Sequence, residues 1–263
     1  MLYDSEGNPL KPNGHGPVDA LLGMKKPPVD DRPLVAFCWP TQDEVKARFF
    51  MSMVALVYSS RVKPILLRGA SSVVSVARNS CIEKMQSFEK MGAGVPEWTF
   101  WIDSDMEVPP DALMRLIAHG KDIVGATYVR RAPPYDVMGR TLHGGPSEDI
   151  KGGLMEVAGL PLGCLLIRRK VFDDICKDGR PPFYFGQDDL GRDVGEDYTF
   201  CKRARDAGYS VWVDIDLTKE VKHIGEWAFS PQEAGGPDKD GNVIETKFAT
   251  LGEPQELVHA GTI

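Results

Sequence analysis

The sequence predicts an α/β domain in which helices cover a mostly parallel sheet, and two observations lead to this prediction. Over residues 34–128, short apolar segments rich in β-branched and aromatic residues alternate with longer segments of helical periodicity. This β-α-β-α-β-α-β alternation is typical of a parallel sheet covered by helices. One apolar segment, residues 98–102, ends directly in Asp103-Ser104-Asp105. Open α/β sheets bind ligands beyond the carboxyl ends of their strands.

Glycine, proline and capping residues set the boundaries of the first elements. An arm rich in Gly and Pro, residues 1–31, comes first and lacks periodicity. Pro40 is expected to stop the first strand. Thr41 with Glu44 forms a capping box that predicts the start of the first helix, and Gly92 is expected to end the second helix. Strands are predicted at residues 34–39, 64–67, 98–102 and 122–128, and helices at 43–58, 71–91 and 109–120.

A long irregular segment, residues 129–153, separates the first half of the domain from the second. Its length, its Gly and Pro residues and its lack of periodicity are typical of a functional or disordered loop. It contains Arg130, Arg131, Arg140 and His143, a basic cluster that either orders around an anionic ligand or forms a solvated loop. Beyond it, strands are predicted at residues 154–157, 160–167 and 210–214, and helices at 171–175 and 195–207.

Length and charge indicate one domain with appendages. The chain has 263 residues and a formal net charge of −7, and a length of this order suits a single large domain. We expect an extended arm at residues 1–31, the α/β domain at 32–230 and an acidic tail at 231–263. The tail holds six acids and two bases, hence −4 of the −7. The rest is nearly balanced, so the overall charge only mildly disfavours a nucleic-acid partner.

Composition also limits the cellular setting. No apolar run reaches the roughly 18–20 residues that a membrane-spanning helix needs, so no membrane span is expected. The first six residues lack the basic start and apolar core of a secretory signal. The five cysteines are scattered and never form Cys-x-x-Cys. This pattern favours reduced thiols in a cytoplasmic enzyme over a disulfide framework or a zinc site.

The pair Asp103 and Asp105 is the first candidate for chemistry. Side chains i and i+2 of a strand point to the same side, so two carboxylates just past the strand would leave the sheet together. Paired carboxylates suit a hard divalent cation, which in turn can hold a diphosphate. The structural alternative is a turn followed by the cap of the next helix.

Three further features are candidates for the same site. Glu196 and Asp197 open a predicted helix, where acids either cap the helix or supply a general base for an acceptor hydroxyl. His223 follows the last strand and is either an ordinary surface or core residue or, with two carboxylates, part of a Mn²⁺ site. Arg78 lies on or near the apolar stripe of its helix, where an Arg needs an anionic or carbonyl partner.

These motifs occur in an order that resembles the GT-A glycosyltransferases. More narrowly, the chain is similar to the compact nucleotide-sugar glycosyltransferases of bacteriophages, some of which act on hydroxymethylated DNA bases. The resemblance covers about residues 33–229. The stretches that carry it are Pro40-Thr41, Ala77-Arg78-Asn79, Trp101-Ile102-Asp103-Ser104-Asp105-Met106, Pro109-Pro110-Asp111, Asp122-Ile123-Val124-Gly125-Ala126, Gly195-Glu196-Asp197, Ala207-Gly208-Tyr209 and Lys222-His223-Ile224-Gly225.

The resemblance implies a metal site and a base. Asp105 would bind the metal directly, Asp103 would contact the ribose or the metal's water shell, and His223 would complete the metal site. Asp197 would be the catalytic base, and Glu196 would orient the sugar or share the acceptor.

The resemblance also implies a nucleotide pocket. Pro40, Thr41 and Arg78 would line it, and Arg130 or Arg131 on the adjacent loop would add positive charge as a lid over the donor. Relatives often have a small residue and two close glycines beside the donor sugar, where this chain has Gly159-Leu160-Pro161-Leu162-Gly163. That departure leaves the identity of the sugar open.

The implied activity is the transfer of a sugar from a nucleoside-diphosphate sugar, with UDP favoured, to a hydroxyl group. Mn²⁺ or Mg²⁺ would be the cofactor, and inversion the outcome. The acceptor is either a hydroxymethylated base of phage DNA or a saccharide, lipid-linked or protein acceptor, and the setting would be the host cytoplasm if a phage encodes the chain. Two other classes stay open: a sugar nucleotidyltransferase, although the Gly-rich phosphate loop expected after the first strand is missing, and a non-catalytic nucleotide- or glycan-binding protein.

Overall fold

The structure is a computed structural model that describes residues 30–129, 131, 137–142, 152–187 and 190–225. The expected arm and acidic tail lie outside these residues, apart from Asp30 and Asp31, and every element below belongs to the compact unit that ends at His223. The elements of the first half are β1 (Leu34–Thr41), α1 (Ala47–Ser59), β2 (Lys63–Ala70), α2 (Val74–Lys90), β3 (Trp98–Ile102), β4 (Met106–Glu107), α3 (Ala112–Ala118) and β5 (Ile123–Gly125). Those of the second half are β6 (Leu154–Val157), β7 (Cys164–Arg168), α4 (Arg169–Ile175), a 3-10 turn (Cys176–Asp178), β8 (Gly186–Gln187), β9 (Asp193–Val194), α5 (Glu196–Asp206), β10 (Val211–Asp214), α6 (Ile215–Thr218) and β11 (Lys222–His223).

Seven strands form the main sheet in the order β2-β1-β3-β7-β5-β10-β6. β2, β1, β3, β5 and β10 run in one direction, and β7 and β6 run in the other. The predicted α/β architecture with a mostly parallel sheet is therefore confirmed. Because the parallel strands end at the same edge, the segments that follow β1, β3 and β5 are brought together there.

The centre of the sheet is fully buried. All five residues of β3 are buried, as expected for a strand covered on both faces. Trp101 packs edge-on against Phe183, with 4.9 Å between ring centroids, and its Nε1 donates a 2.8 Å hydrogen bond to the hydroxyl of Thr99. This packing holds the strand from which Asp103 and Asp105 emerge.

The first strand and helix differ from the prediction. β1 continues through Pro40 to Thr41, and α1 begins only at Ala47, without a side-chain cap at Lys46. The predicted capping box is wrong, because Thr41 Oγ1 donates instead to the carbonyl oxygen of Glu44 at 2.8 Å. Pro40 is tolerated in β1 because pairing with β3 ends at Cys38, so the missing N–H is not needed on that side.

Other boundaries follow the sequence signals more closely. Gly92 and Gly208, at φ of +78° and +91°, lie just beyond α2 and α5, as the predicted helix ends require. The strand predicted at residues 160–167 is shorter and shifted, to Cys164–Arg168, and the one at 122–128 is limited to Ile123–Gly125. Within the part of the chain that the structure describes, no helix combines the length and apolar character needed to span a membrane.

Candidate functional site

The site is built at the carboxyl end of β3. Asp103 and Asp105 follow this strand, and β4 starts at Met106, immediately after Asp105. β4 pairs antiparallel with β11 in a register that sets His223 opposite Met106. A two-residue ribbon thus carries His223 to Asp105 across 118 positions of the sequence, and the distance from Nε2 to Asp105 Oδ2 is 3.4 Å.

The orientation of the His223 ring is fixed. Its Nδ1 lies 2.9 Å from the carbonyl oxygen of Val129, and because a carbonyl only accepts, Nδ1 must carry the proton. Nε2 is therefore directed at Asp105. The ring also packs edge-on against Tyr128, with 4.8 Å between centroids. Burial opposes protonation of His223, but the hydrogen bonds to Asp105 and to the Val129 carbonyl, together with the charge of Asp105, outweigh it, and the pKa of His223 is raised above its usual 6.5.

Asp105 faces two cationic groups. Its Oδ2 lies 2.8 Å from Nη1 of Arg131 as well as close to His223. Burial acts against ionisation of Asp105, yet the hydrogen bond to His223 and the charge of Arg131 outweigh it, so that the pKa of Asp105 is lowered. Asp105 is therefore an ionised carboxylate that attracts cations.

Two of the three predicted metal ligands converge, and the third does not. The side chains of Asp105 and His223 face each other, whereas the carboxylate of Asp103 is directed at Arg78. Among the described residues, no three His, Cys, Asp or Glu side chains form a cluster of metal-binding geometry. The pair nevertheless suits a divalent cation. One carboxylate with water and substrate phosphates is a usual ligand set for Mg²⁺. A His that binds a metal normally donates a hydrogen bond from its other ring N–H to a group such as a carbonyl.

Arg78 connects the strand edge to α5. The residue is only 3% exposed. Its Nη2 donates to Asp103 Oδ1 and Oδ2 at 3.0 and 3.3 Å, and its Nη1 donates to Glu196. Its Nε finds no acceptor among the described residues. The expectation that Arg78 needs an anionic partner is confirmed. It does not line the cavity beside Asp105, and instead lies behind the site as a bridge between two carboxylates.

Glu196 and Asp197 form the first turn of α5, as predicted. Asp197 Oδ1 accepts a 2.7 Å hydrogen bond from the backbone N–H of Tyr198. A Cβ on Gly195 would lie 2.8 Å from the same oxygen, so a larger residue there would have to displace the carboxylate. Burial raises the pKa of Asp197 above its ordinary value, against the opposing effect of that hydrogen bond.

The pair formed by Arg78 and Glu196 is not symmetric. Burial raises the pKa of Glu196 although Arg78 opposes the shift, and the neighbouring Asp197 adds to it. Burial of Arg78 favours its neutral form, but two carboxylates, Asp103 and Glu196, outweigh this and raise its pKa. One cation is thus shared by more negative charge than it can neutralise, so Arg78 stays charged while proton uptake is favoured at the helix end.

A cavity of about 670 Å³ opens beside Asp105. Thr41 and Arg131, two residues predicted at the nucleotide pocket, line it together with Ser104, Asp105 and residues 42–46 of the loop after β1. Pro40 is not among the lining residues, and Arg130 lies outside the described residues. The cavity therefore gathers the ends of β1 and β3 and one basic residue of the long loop.

Tyr128 also lies at the site, although it was not among the residues predicted there. Its hydroxyl lies 3.5 Å from Asp103 Oδ2, and burial raises its pKa well above 10. A Cβ on Gly163 would lie 2.5 Å from that hydroxyl, so Gly163 makes room for the ring. A signal was present, because Tyr128 ends the predicted strand at residues 122–128, at the edge where Asp103 and Asp105 were expected.

Fold and site together define an α/β protein with carboxylates, a histidine and arginines gathered at the carboxyl edge of its sheet. The sequence matches no family model, and no curated protein shows significant similarity to it. Among solved structures, similarity is found to A197 from STIV, with a TM-score of 0.47 and 16% identity over 75% of this chain and 97% of that chain. It is also found to GalNAc-T7 with UDP, GalNAc and Mn²⁺, with a TM-score of 0.45 and 10% identity over 74% of this chain and 44% of that chain. At these scores and identities, neither similarity assigns an activity to the chain.

Proposed function

We propose that the chain is a GT-A type glycosyltransferase that uses Mn²⁺ or Mg²⁺ to transfer a sugar from a nucleoside-diphosphate sugar to an acceptor hydroxyl. The observation that carries this proposal is the convergence of Asp105 Oδ2 and His223 Nε2, 3.4 Å apart, with Asp105 lining a cavity of about 670 Å³. The hydrogen bond from His223 Nδ1 to the Val129 carbonyl supports it further, because it directs Nε2 to the same point.

On the donor side, Asp105 and His223 would hold the cation. When bound, a divalent cation offsets the negative charge that develops on a leaving diphosphate. Arg131 also lines the cavity, and its planar guanidinium group pairs well with phosphate oxygens. Thr41 contributes a hydroxyl at the end of β1. UDP is the nucleotide proposed for the first tests.

On the acceptor side, Asp197 would take the proton of the attacking hydroxyl. A general base works best when its pKa lies near the operating pH, and burial moves the pKa of Asp197 in that direction. Arg78 would hold Glu196 and Asp103 in place on either side. Attack by the activated hydroxyl from the face opposite the diphosphate gives inversion at the sugar carbon.

For the acceptor, we propose a hydroxymethylated DNA base as the first candidate, beside saccharide, lipid-linked or protein hydroxyls. Support comes from arginines in the second half of the chain, of which Arg140 and Arg180 line a second cavity together with three further cations. The net charge of −7 opposes a strong general affinity for nucleic acid, so recognition would have to be local.

A panel of nucleotide sugars tests the proposal. Thermal unfolding of the full chain is measured with each donor, with and without Mn²⁺, because a ligand that binds only the native state raises the apparent stability. One donor should raise the melting temperature in the presence of Mn²⁺ and not in EDTA. Release of its nucleoside diphosphate, with a matching mass increase of hydroxymethylated DNA or another acceptor, then shows transfer. If no donor raises the melting temperature with Mn²⁺, or with Mg²⁺ in its place, the proposal is contradicted.

A further inference from the structure

A second cavity, of about 490 Å³, lies along one face of α5, and the donor and metal chemistry proposed above do not use it. Its lining is strongly basic. The cationic residues are Arg140, Arg180, Lys202, Arg203 and Arg205. A concave surface with this many cations concentrates anions, since its walls focus the field of the charges.

Carboxylates of the described residues neutralise only part of this positive charge. Arg180 and Arg203 share Asp178, each at 2.9 Å, and Lys202 pairs with Asp206 at 2.7 Å. Arg140 and Arg205 form no ion pair with a carboxylate of the described residues. Within the described part of the chain, the charges of Arg140 and Arg205 are therefore not matched by a carboxylate, and both residues are exposed.

Tyrosine rings position the guanidinium groups. Arg140 lies over the ring of Tyr198, 4.4 Å from its centroid, and Arg203 lies 5.1 Å from the centroid of Tyr184. Such cation–π contacts are attractive and restrict the side chain. The contacts lower the conformational entropy that binding an anion would otherwise cost.

α5 links the cavity to the proposed base, because Tyr198 lines the cavity and its backbone N–H donates to Asp197 Oδ1 at 2.7 Å. Tyr198 directly follows Asp197, and Lys202 and Arg205 come four and seven positions later, on the same face of the helix. At 1.5 Å per residue, Tyr198 and Arg205 are about 10 Å apart along α5. A ligand that presents a hydroxyl at Asp197 can therefore extend along this row of cations.

We propose that the α5 cavity binds phosphate groups of the acceptor, so that the acceptor is a phosphate-bearing molecule whose hydroxyl reaches Asp197. This inference rests on the proposed function and gives its acceptor a chemical class. Guanidinium groups match phosphate oxygens in a forked geometry, and cations spread over about 10 Å suit more than one phosphate. A nucleic-acid strand is the favoured source, because aromatic rings beside cations are the means by which proteins hold single strands.

The test is equilibrium binding of a fluorescent 12-nucleotide single strand to the full chain, followed by anisotropy at several salt concentrations. The variant Arg140→Gln/Arg205→Gln removes the two uncompensated charges from exposed positions. The control, Arg61→Gln/Lys90→Gln, removes two charges from exposed positions outside the cavity. The cavity variant should bind about tenfold more weakly, and its dependence on log salt should be flatter by about 0.7 per lost contact. The control should bind like the unmodified chain.

Competition identifies the chemistry that is recognised. Inorganic phosphate and a mononucleotide should displace the strand, whereas an uncharged nucleoside should not. Equal binding by the cavity variant and the control, or displacement by the nucleoside, would overturn the proposal. A strand that binds no more tightly than inorganic phosphate would retain the phosphate site and reject nucleic acid as its source. Mn²⁺-dependent release of the nucleoside diphosphate is measured on the same samples. Its absence from the unmodified chain would end the proposed function separately from the binding result.

Discussion

Asp105 and Asp197, the carboxylates proposed to hold the cation and to take the proton, differ in the direction in which their surroundings shift their pKa values. The pKa of Asp105 is lowered, because His223 and Arg131 outweigh its burial. The pKa of Asp197 is raised, because its burial outweighs a backbone hydrogen bond and the charge of Arg78. The same residue type is thus favoured in its ionised form at the end of β3 and in its protonated form at the start of α5.

The secondary structure alone would suggest a different outcome. The amino end of a helix favours negative charge, so α5 should lower the pKa of Asp197. Instead, burial raises the pKa of Asp197 and the charge of Asp103 adds to the shift, although the backbone N–H of Tyr198 and the charge of Arg78 oppose it. Pairs of acids with pKa values driven apart mark a division between electrostatic and acid–base roles. The opposite shifts support the proposed division, in which Asp105 holds the cation and Asp197 takes the proton.

The largest expected effect is on transfer in Asp197→Asn. Loss of a general base costs about 10²–10⁴-fold in rate, and the Asn oxygen can still accept the Tyr198 hydrogen bond. Donor binding should be unchanged, because the cavity beside Asp105 does not include Asp197. The rate of nucleoside-diphosphate release with acceptor and the donor-induced shift in melting temperature measure the two effects separately. Near-normal transfer by this variant would remove Asp197 as the base.

The next largest expected effect is a decrease in the free energy of unfolding in Arg78→Met. Removing one partner from a buried ion pair costs about 3–5 kcal/mol, and here two carboxylates lose their common cation. Urea unfolding measures the loss. Adding Glu196→Gln to Arg78→Met should recover part of the loss, since the uncompensated buried charge is then removed. A double-mutant cycle with no coupling would show that Arg78 and Glu196 do not act as a pair.

The sequence predicted the elements that have a strong local pattern. Four apolar residues and Thr99, followed by Asp103, predicted the buried strand that ends at the carboxyl edge of the sheet. The position of Arg78 on an apolar stripe predicted an anionic or carbonyl partner, and the structure supplies two carboxylates. These inferences succeeded because the periodicity of a helix or strand is written into neighbouring residues.

Contacts between distant segments could not be predicted in the same way. β4 and β11 contain two residues each, too few for a pattern, yet their register brings His223 to Asp105. Nor does the sequence reveal that Asp103 is engaged by Arg78 and thereby directed away from a shared metal site. The early start proposed for α1 failed because Thr41 and Glu44 satisfy a capping pattern that the structure uses within a loop.

The metal-binding role proposed for Asp105 and His223 can be tested at His223. His223→Gln removes one of the two converging ligands, and we expect at least a 10–100-fold loss in Mn²⁺ affinity, the range measured when supporting groups of metal sites are removed. Donor-dependent Mn²⁺ binding by calorimetry is the measurement, and Asp197→Asn is the matched control. Equal Mn²⁺ affinity in His223→Gln and the control would separate His223 from the metal site.

The smallest expected effect concerns the stability of Asp197→Asn as a function of pH. In the folded chain the pKa of Asp197 lies above the ordinary 3.8, so folding favours its protonated form. That contribution is fully present below pH 3.8 and is lost as the pH rises through the folded pKa. Asn cannot ionise, and the variant should therefore be more stable than the unmodified chain at pH 7, with the difference disappearing near pH 3. Glu196 is present in both proteins, so its own titration largely cancels. Melting temperatures of the two proteins, measured in EDTA across this pH range, give the difference. A variant less stable at pH 7 would mean that Asp197 is held as an anion like Asp105, and the division of roles between the two carboxylates would fail.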